Sequence, residues 1–538
     1  MSAFPLPELS PAASPEFVDA EGCKAWLENV PLANVAAAQR ELLAQVKEFN
    51  RFPANATHRF AVMETLREPV NFVQIEQAKR FANRALPMAP AESDIFEDTS
   101  ALWDGMRAGY LRCLDSALNG DAAMRAQGAL VCQRALAYSG LKMFHHFRAY
   151  RQVPAREWRG THAVYAASEQ LDVAEEAVKD FLNRDVHDTS PRIAYARALL
   201  MGLCNPNELA QRQLTFVAYL LERWASKLEV GREPLAEEEG ILPLVVDLAG
   251  DRLPERLGAA ASTRIGEARY LDARKLAKSL RNRVGLLRKG ESPAKLALGE
   301  DCIQPSCEQL LVFLFRQWCQ GKLSRATERR AAASAVQACS ELGAIHYSVT
   351  GRAFRQPQAG ELTKQQREEI ATFGRISTRQ EDDQPAGAGL EQWRLEDESP
   401  QGLRIVRRAG TQGKRYSHGQ LICVRLADAK QYRLGQVRWL MEGQEGDLHA
   451  GVRLLPGLPA GCAVRATGVN VQQEKFVPAL LLAAVPASEV PMSILLPPGW
   501  FKPKRVLDFF AEGAARIRLL AVLERGVDYE RATFEQLQ

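Results

Sequence analysis

Apolar residues recur at helical spacing over most of the first three hundred and forty positions, and at every second position over much of the remainder. Leu214, Val217, Leu221, Trp224 and Leu228 form one apolar stripe, and Leu276, Leu280, Val284 and Leu287 form another. Stripes of this kind bury one side of a helix against a core. The segment Asn205-Pro206-Asn207-Glu208 carries the residues of a helix start: a capping Asn, Pro at the first position and Glu at the third. From about residue 18 to 343 this reading predicts an all-α region, a bundle or a solenoid, of some ten to twelve helices. Residues 1–17, rich in Pro, Ser and Ala, are expected to be a disordered tail.

The period then shortens. Ala344 to Val349 reads as a strand and 344–369 as a linker. Leu403-Arg-Ile-Val406, Gln420 to Leu426, Leu434 to Leu440 and Leu448 to Leu455 are short runs of aliphatic, β-branched and aromatic residues between turn signals. Half-buried strands have this pattern. They place a small β-barrel at about 370–465. Lys475 to Leu482, Met492 to Leu496, Arg516 to Leu520 and Tyr529 to Phe534 mark a second β-rich unit over 466–538, either an extension or a separate barrel. Pro497-Pro-Gly-Trp-Phe501 is a turn within it. The fold class expected is multidomain α + β.

Composition adds limits. The chain has 538 residues, 46% of them hydrophobic, and a net charge of +4. It is too long for one core, and its charge is too small for a global affinity toward nucleic acid or membranes. No apolar run is long enough to cross a bilayer, and the N-terminus has no basic segment followed by a long apolar one. These features predict a cytoplasmic protein. Ten cysteines are spread from Cys23 to Cys462. Cys302 and Cys307, the closest pair, lack zinc-site spacing, and all ten read as free thiols in a reducing compartment. His145-His146 point apart on a helix and read as packed residues. The segment Arg264–Glu291 holds nine Lys and Arg against three acids. It is either a nucleic-acid contact or, as its apolar stripe favours, a solvated helix face. Trp158, Tyr165 and Ala174 fall at tetratricopeptide spacing, but no second copy follows. Nucleotide-hydrolase, metalloprotease, serine-hydrolase and dinucleotide-binding motifs are missing from the sequence. No enzymatic activity and no metal or cofactor is expected.

Two motifs carry chemistry. Arg375-Ile-Ser-Thr-Arg379 is followed, eighteen residues after Arg379, by Asp397-Glu-Ser399-Pro-Gln-Gly402. Guanidinium groups bind phosphate oxygens and the O6/N7 edge of guanine in a bidentate manner. A carboxylate accepts from the N–H groups of the guanine Watson–Crick edge, and a hydroxyl can donate or accept beside it. The R-x-x-x-R spacing alone means little, since it recurs at Arg325/Arg329 and Arg404/Arg408. The pair of motifs resembles the signature of the PilZ family, β-barrel receptors for cyclic di-GMP. Val437-Arg-Trp439 and Gly451-Val-Arg-Leu454 echo that family's later strands. The resemblance implies that Arg375 and Arg379 clamp phosphate and guanine, that Asp397 and Ser399 read guanine, and that Gly402 shapes a turn. It also implies a receptor that signals to a protein partner through its helical domain. Glu381, Asp382 and Asp383, directly after Arg379, can compete for the arginines. A helical scaffold with a barrel that no longer binds is therefore the alternative, beside a nucleic-acid regulator using 264–291.

Overall fold

The computed structural model describes residues 4–238, 240–256, 266–299, 302–320, 330–357, 389–467 and 475–537. The chain forms two compact units, Met1–Arg84 with Met88–Ala326, and Ala85–Pro87 with Thr327–Gln538.

The first unit is mainly helical. It contains α1 (Ala20–Leu27), α2 (Val35–Arg51), α3 (Ala56–Ala78), α4 (Pro90–Leu118), α5 (Ala122–Ala126), α6 (Gly128–Arg148), α7 (Ala155–Gln170), α8 (Pro191–Leu203), α9 (Gln211–Trp224), α10 (Arg274–Arg288) and α11 (Ser306–Trp318). Local chemistry sets several starts. Asn34 and Asn55 cap α2 and α3 by accepting from Ala37 N and His58 N, and Pro90 opens α4. One continuous core runs through the unit, with Trp103, Tyr110, Tyr138, Tyr165 and Tyr195 fully enclosed. Two buried ion pairs lie inside it: Arg67 meets Asp180 at 2.6 Å, and Lys142 meets Glu157 at 2.9 Å.

Several expectations change here. The region is not all-α. Strands β1 (Val178–Lys179) and β2 (Asp188–Thr189) form a hairpin, and β3 (Glu229–Gly231), β4 (Leu244–Asp247), β5 (Glu255–Arg256) and β6 (Ala268–Asp272) form a four-stranded sheet. From Phe4 onward the expected tail packs instead: Phe4 and Phe17 are buried, and Ser10 N donates to Arg51 O of α2. Asn205 does not cap a long helix. It takes a left-handed backbone (φ 54°) before a single 3-10 turn, Pro206–Glu208, and α9 begins only at Gln211. Trp158 and Tyr165 are core residues of α7, the latter stacked on Tyr195 at 4.2 Å. Cys302 and Cys307 are joined by a disulfide, where free thiols were expected, and the other eight cysteines are free and buried.

The basic segment settles as an ordinary face where it is described. Leu276, Leu280, Val284 and Leu287 of α10 are buried. Arg274 pairs with Asp272 and Glu238, Lys275 with Glu229 and Arg288 with Glu308, while Arg283 packs over Trp224. His145 and His146 are buried too, and burial pulls both well below the ordinary histidine range, so both are neutral at pH 7.

Among the described residues the second unit holds two barrels and an α-helix. The first barrel uses β7 (Arg330–Ala331), β8 (Ala335–Cys339), β9 (Glu391–Ser399), β10 (Gly402–Arg407), β11 (Leu421–Leu426), β12 (Arg433–Glu442) and β13 (Leu448–Leu454). Its strand order is β10-β13-β12-β11-β8-β9, and pairing of β9 with β10 closes the ring; β7 extends β8 along β9. The barrel thus begins at Arg330, earlier than the sequence pattern indicates. Ala344–Val349 is not a strand but lies in a helix, α12 (Leu342–Thr350).

The second barrel is closed by β14 (Pro459–Ala466), β15 (Val477–Leu482), β16 (Ser493–Leu496), β17 (Val506–Phe510), β18 (Ala514–Arg525) and β19 (Glu530–Leu537), in the order β14-β15-β16-β19-β18-β17. The C-terminal β-rich stretch is therefore a barrel of its own. The two barrels share an apolar junction in which Leu421, Cys423 and Leu434 meet Leu480, Leu482, Leu495 and Tyr529, with Ile345 of α12 between them.

Asp528 sits at that junction, accepting from Leu421 N at 2.8 Å. Burial, helped by nearby Glu341, raises its carboxyl to about 6. The folded state therefore favours the protonated acid. The stability this contributes is complete below the unfolded value near pH 4 and is lost as pH rises through 6. A shift of this size corresponds to about 3 kcal/mol. Asp528→Asn keeps an acceptor for Leu421 N without a titrating group. The variant should unfold like the parent at pH 4 and be more stable at pH 8, by up to about 3 kcal/mol. Denaturant melts at the two pH values provide the check, and an equal difference at both would refute this role.

Candidate ligand face of the first barrel

Burial alternates along β9: Glu391, Trp393 and Leu395 point inward, while Gln392 and Arg394 point out. The register with β10 then slips. Ile405 faces Leu395, but Arg404 faces Asp397, so Glu396 and Asp397 together oppose one residue. A bulge of this kind turns the strand and re-aims its side chains. Because Leu403 and Ile405 are buried, Arg404 faces outward, and its cross-strand partner Asp397 belongs to the same outer face. Ser399, opposite Gly402, follows two positions on, and its hydroxyl donates to Gly402 O at 3.3 Å.

Gly402 ends the turn between β9 and β10 and allows the close backbone approach expected of it, but without a positive φ. It is the first residue of β10, and its backbone does not enter the left-handed region. A Cβ there would come within 2.8 Å of Val452 O on β13. Glycine is required there by the close approach of β13 and not by a left-handed backbone.

The neighbouring strands extend the face. Arg404 lies opposite Gly451 on β13, and Gly451 lies opposite Trp439 on β12. The Trp439 indole lies across Gly451, where a Cβ would fall 1.8 Å from Nε1. Its ring is half-buried and stands 5.8 Å from the Arg404 guanidinium. Glu396 holds Arg404 in place, with Nε 2.6 Å from Oε2. His449, 3.9 Å from the same carboxylate, is pulled below the ordinary histidine range by burial, against the influence of Glu396. Next in the outward row, Arg453 faces Gly402 and Gln436, pairing with Glu524 of the second barrel.

The face thus combines a carboxylate, a hydroxyl, two guanidinium groups and a half-exposed indole. Such a set can stack a base, accept from its N–H groups and contact phosphate. Asp397 and Ser399, two apart on β9, share its outer face. Arg375, Arg379 and the acidic run 381–383 lie outside the described residues. In the sequence Arg404 stands out only as half of a recurring R-x-x-x-R; the signal for it is the alternation of Leu403-Arg-Ile-Val406, which sets Arg404 opposite in face to Leu403 and Ile405. Trp439 was visible only as part of a family echo. Among the described residues no cluster of His, Cys, Asp and Glu is arranged to hold a metal ion, and no helix is long and apolar enough to cross a membrane.

A helical unit thus precedes two small barrels, and the first barrel carries this outward face. A family model described as "Cyclic-di-GMP receptor FimW, N-terminal domain" matches residues 21–234, and one described as "FimW C-terminal beta-barrel domain" matches residues 462–537. Together the two models match 290 of the 538 residues, 214 in the first and 76 in the second, and over both parts the chain is similar to the FimW receptors. The first match falls on helices α1–α9, the second on the second barrel, and the first barrel lies between them. The curated protein "Cyclic-di-GMP receptor FimW" of Pseudomonas aeruginosa is 22% identical over 519 residues, covering 88% of this chain and 83% of that protein. The resemblance to PilZ-type receptors holds at the level of the family, and the family is described as a receptor rather than an enzyme.

Proposed function

We propose that this chain is a cyclic di-GMP receptor that binds the nucleotide on the outer face of β9, β10, β13 and β12. The observation that carries the reading is the bulge at Glu396–Asp397, which sets Asp397 and Ser399 on one surface with Arg404 and the Trp439 ring. Asp397 accepts from a guanine Watson–Crick edge, Ser399 bonds beside it, and Trp439 offers a stacking surface. Arg375 and Arg379, upstream of β9, supply the guanidinium groups for phosphate and the second guanine. The bound state is passed to a protein partner through the helical unit, in the cytoplasm.

Calorimetric titration of the full chain with cyclic di-GMP tests the site. Asp397→Ala should weaken binding about tenfold or more, since it leaves guanine donors unpaired. Trp439→Ala should cost about 1–3 kcal/mol through lost stacking. Unchanged affinity in both variants would remove this face as the site. Complete absence of heat from the parent protein would favour the alternative, a scaffold whose acidic residues 381–383 occupy the arginines.

A further inference from the structure

The turn read from Pro497 to Phe501 has a sequel that the ligand face of the first barrel does not use. The segment 497–505, Pro-Pro-Gly-Trp-Phe-Lys-Pro-Lys-Arg, joins β16 to β17 and holds three cations and no acid. It meets the ends of β14 and β15 at one rim of the second barrel. There Lys475, Trp500, Lys502 and Arg505 line an open recess of about 530 Å³, beside Ala466 and Gly499. Among the described residues, no acidic side chain lines it.

The recess is held in shape. Phe501 is buried, and its backbone N donates to Glu530 Oε2 at 2.7 Å. Lys504 takes a left-handed backbone, φ 63°, which a lysine rarely adopts. It is fixed there by hydrogen bonds from Lys504 N to Leu519 O and from Leu519 N to Arg505 O, both 2.9 Å. Thr467 Oγ1 donates to Val506 O at 2.9 Å and ties the end of β14 to the start of β17. Arg505 lies over the Trp500 ring at 5.4 Å and uses one N–H on Trp500 O. A guanidinium has five such donors. The nearby acids are engaged elsewhere: Asp508 with Arg465 and Arg516, and Glu530 with Arg525.

We propose that this recess is a second binding site, for the phosphate and base of a nucleotide. Lys502 and Arg505 meet the phosphate, and the half-buried Trp500 ring takes the base. Stacking on an aromatic ring tolerates any base, while clustered cations select phosphate. One aromatic ring with a few cations beside it suits a single nucleotide better than a strand, which needs an extended basic groove.

The test is titration of the full chain with adenosine 5′-monophosphate, which lacks the guanine edge, and the Trp500 and Lys502 variants assign any binding to this recess rather than to the first barrel. Adenosine supplies the base alone and inorganic phosphate the anion alone. The monophosphate should bind at one saturable site, about tenfold or more tighter than either part. Trp500→Ala and Lys502→Glu should each weaken it by about tenfold. Lys502 is exposed, so the second variant keeps the fold even if the first does not. The proposal is overturned by absence of saturable binding, or by affinity that both variants leave unchanged. It is also overturned if only oligonucleotides bind, with a steep salt slope, or only vesicles of anionic phospholipid.

Discussion

Replacing Arg407 with alanine is expected to lower the unfolding free energy of the barrel unit by about 3–5 kcal/mol. Arg407 and Glu391 are both buried inside the first barrel, 2.6 Å apart. The guanidinium also packs on Trp393 at 5.3 Å and Tyr416 at 5.8 Å, and donates to Lys414 O. The other Glu391 oxygen accepts from Lys414 N at 2.6 Å. Alanine would remove the cation and leave the carboxylate enclosed without its partner, the costly way to break a buried pair. Arg407→Met combined with Glu391→Gln removes both charges and should recover a good part of the loss. Urea unfolding followed by tryptophan fluorescence measures both. A cost below about 1 kcal/mol for Arg407→Ala would show that the pair contributes no more than a surface one. The pair spans β9 and β10, so the same variant should loosen the hairpin that presents Asp397 and Ser399.

The second large effect concerns the ligand. Arg375→Ala combined with Arg379→Ala should weaken cyclic di-GMP binding by about a hundredfold or more, because each guanidinium forms charge-assisted bonds to phosphate or guanine. Neutralising Glu381, Asp382 and Asp383 should act in the opposite direction if those acids compete for the arginines. Titration of both sets against the parent protein decides this. Equal affinity in the double arginine variant would place the phosphate contacts elsewhere, with Arg404 and Arg453 the nearest candidates on the barrel face.

Much of the barrel region was readable because alternation and turn residues agree there. The runs at 403–406, 420–426, 434–440 and 448–455 became β10 to β13 with shifts of one or two residues at their ends. Ala344–Val349 misled for a physical reason. Its β-branched and aromatic residues suit a strand, yet Ile345 is needed as one face of a helix packed into the junction of two barrels. Strand β8 was hidden in the opposite way: Ala335-Val-Gln-Ala-Cys339 looks helical in isolation and becomes a strand by pairing with β11 and β9. The small sheet β3–β6 was missed because its members are two to five residues long and lie far apart in sequence.

The candidate site was legible as residue types rather than as a surface. Asp397 and Ser399 could be picked out by spacing, but their shared face depends on a bulge that spacing does not reveal. Trp439 joins them only because Gly451 leaves room beneath its ring, and Arg404 because it lies in register with Asp397. Gly402 closes the turn between β9 and β10, and what demands glycine there is the approach of β13 rather than a positive φ.

The central claim is that the first barrel reads guanine in a cyclic dinucleotide. Titration of the full chain with cyclic di-GMP and, in parallel, with cyclic di-AMP tests it most directly. The two ligands share their phosphates and differ in the edge that Asp397 would accept from. The account predicts saturable binding of cyclic di-GMP that is at least about a hundredfold tighter than that of cyclic di-AMP. Equal affinity for the two, or no saturable binding of cyclic di-GMP, would contradict it.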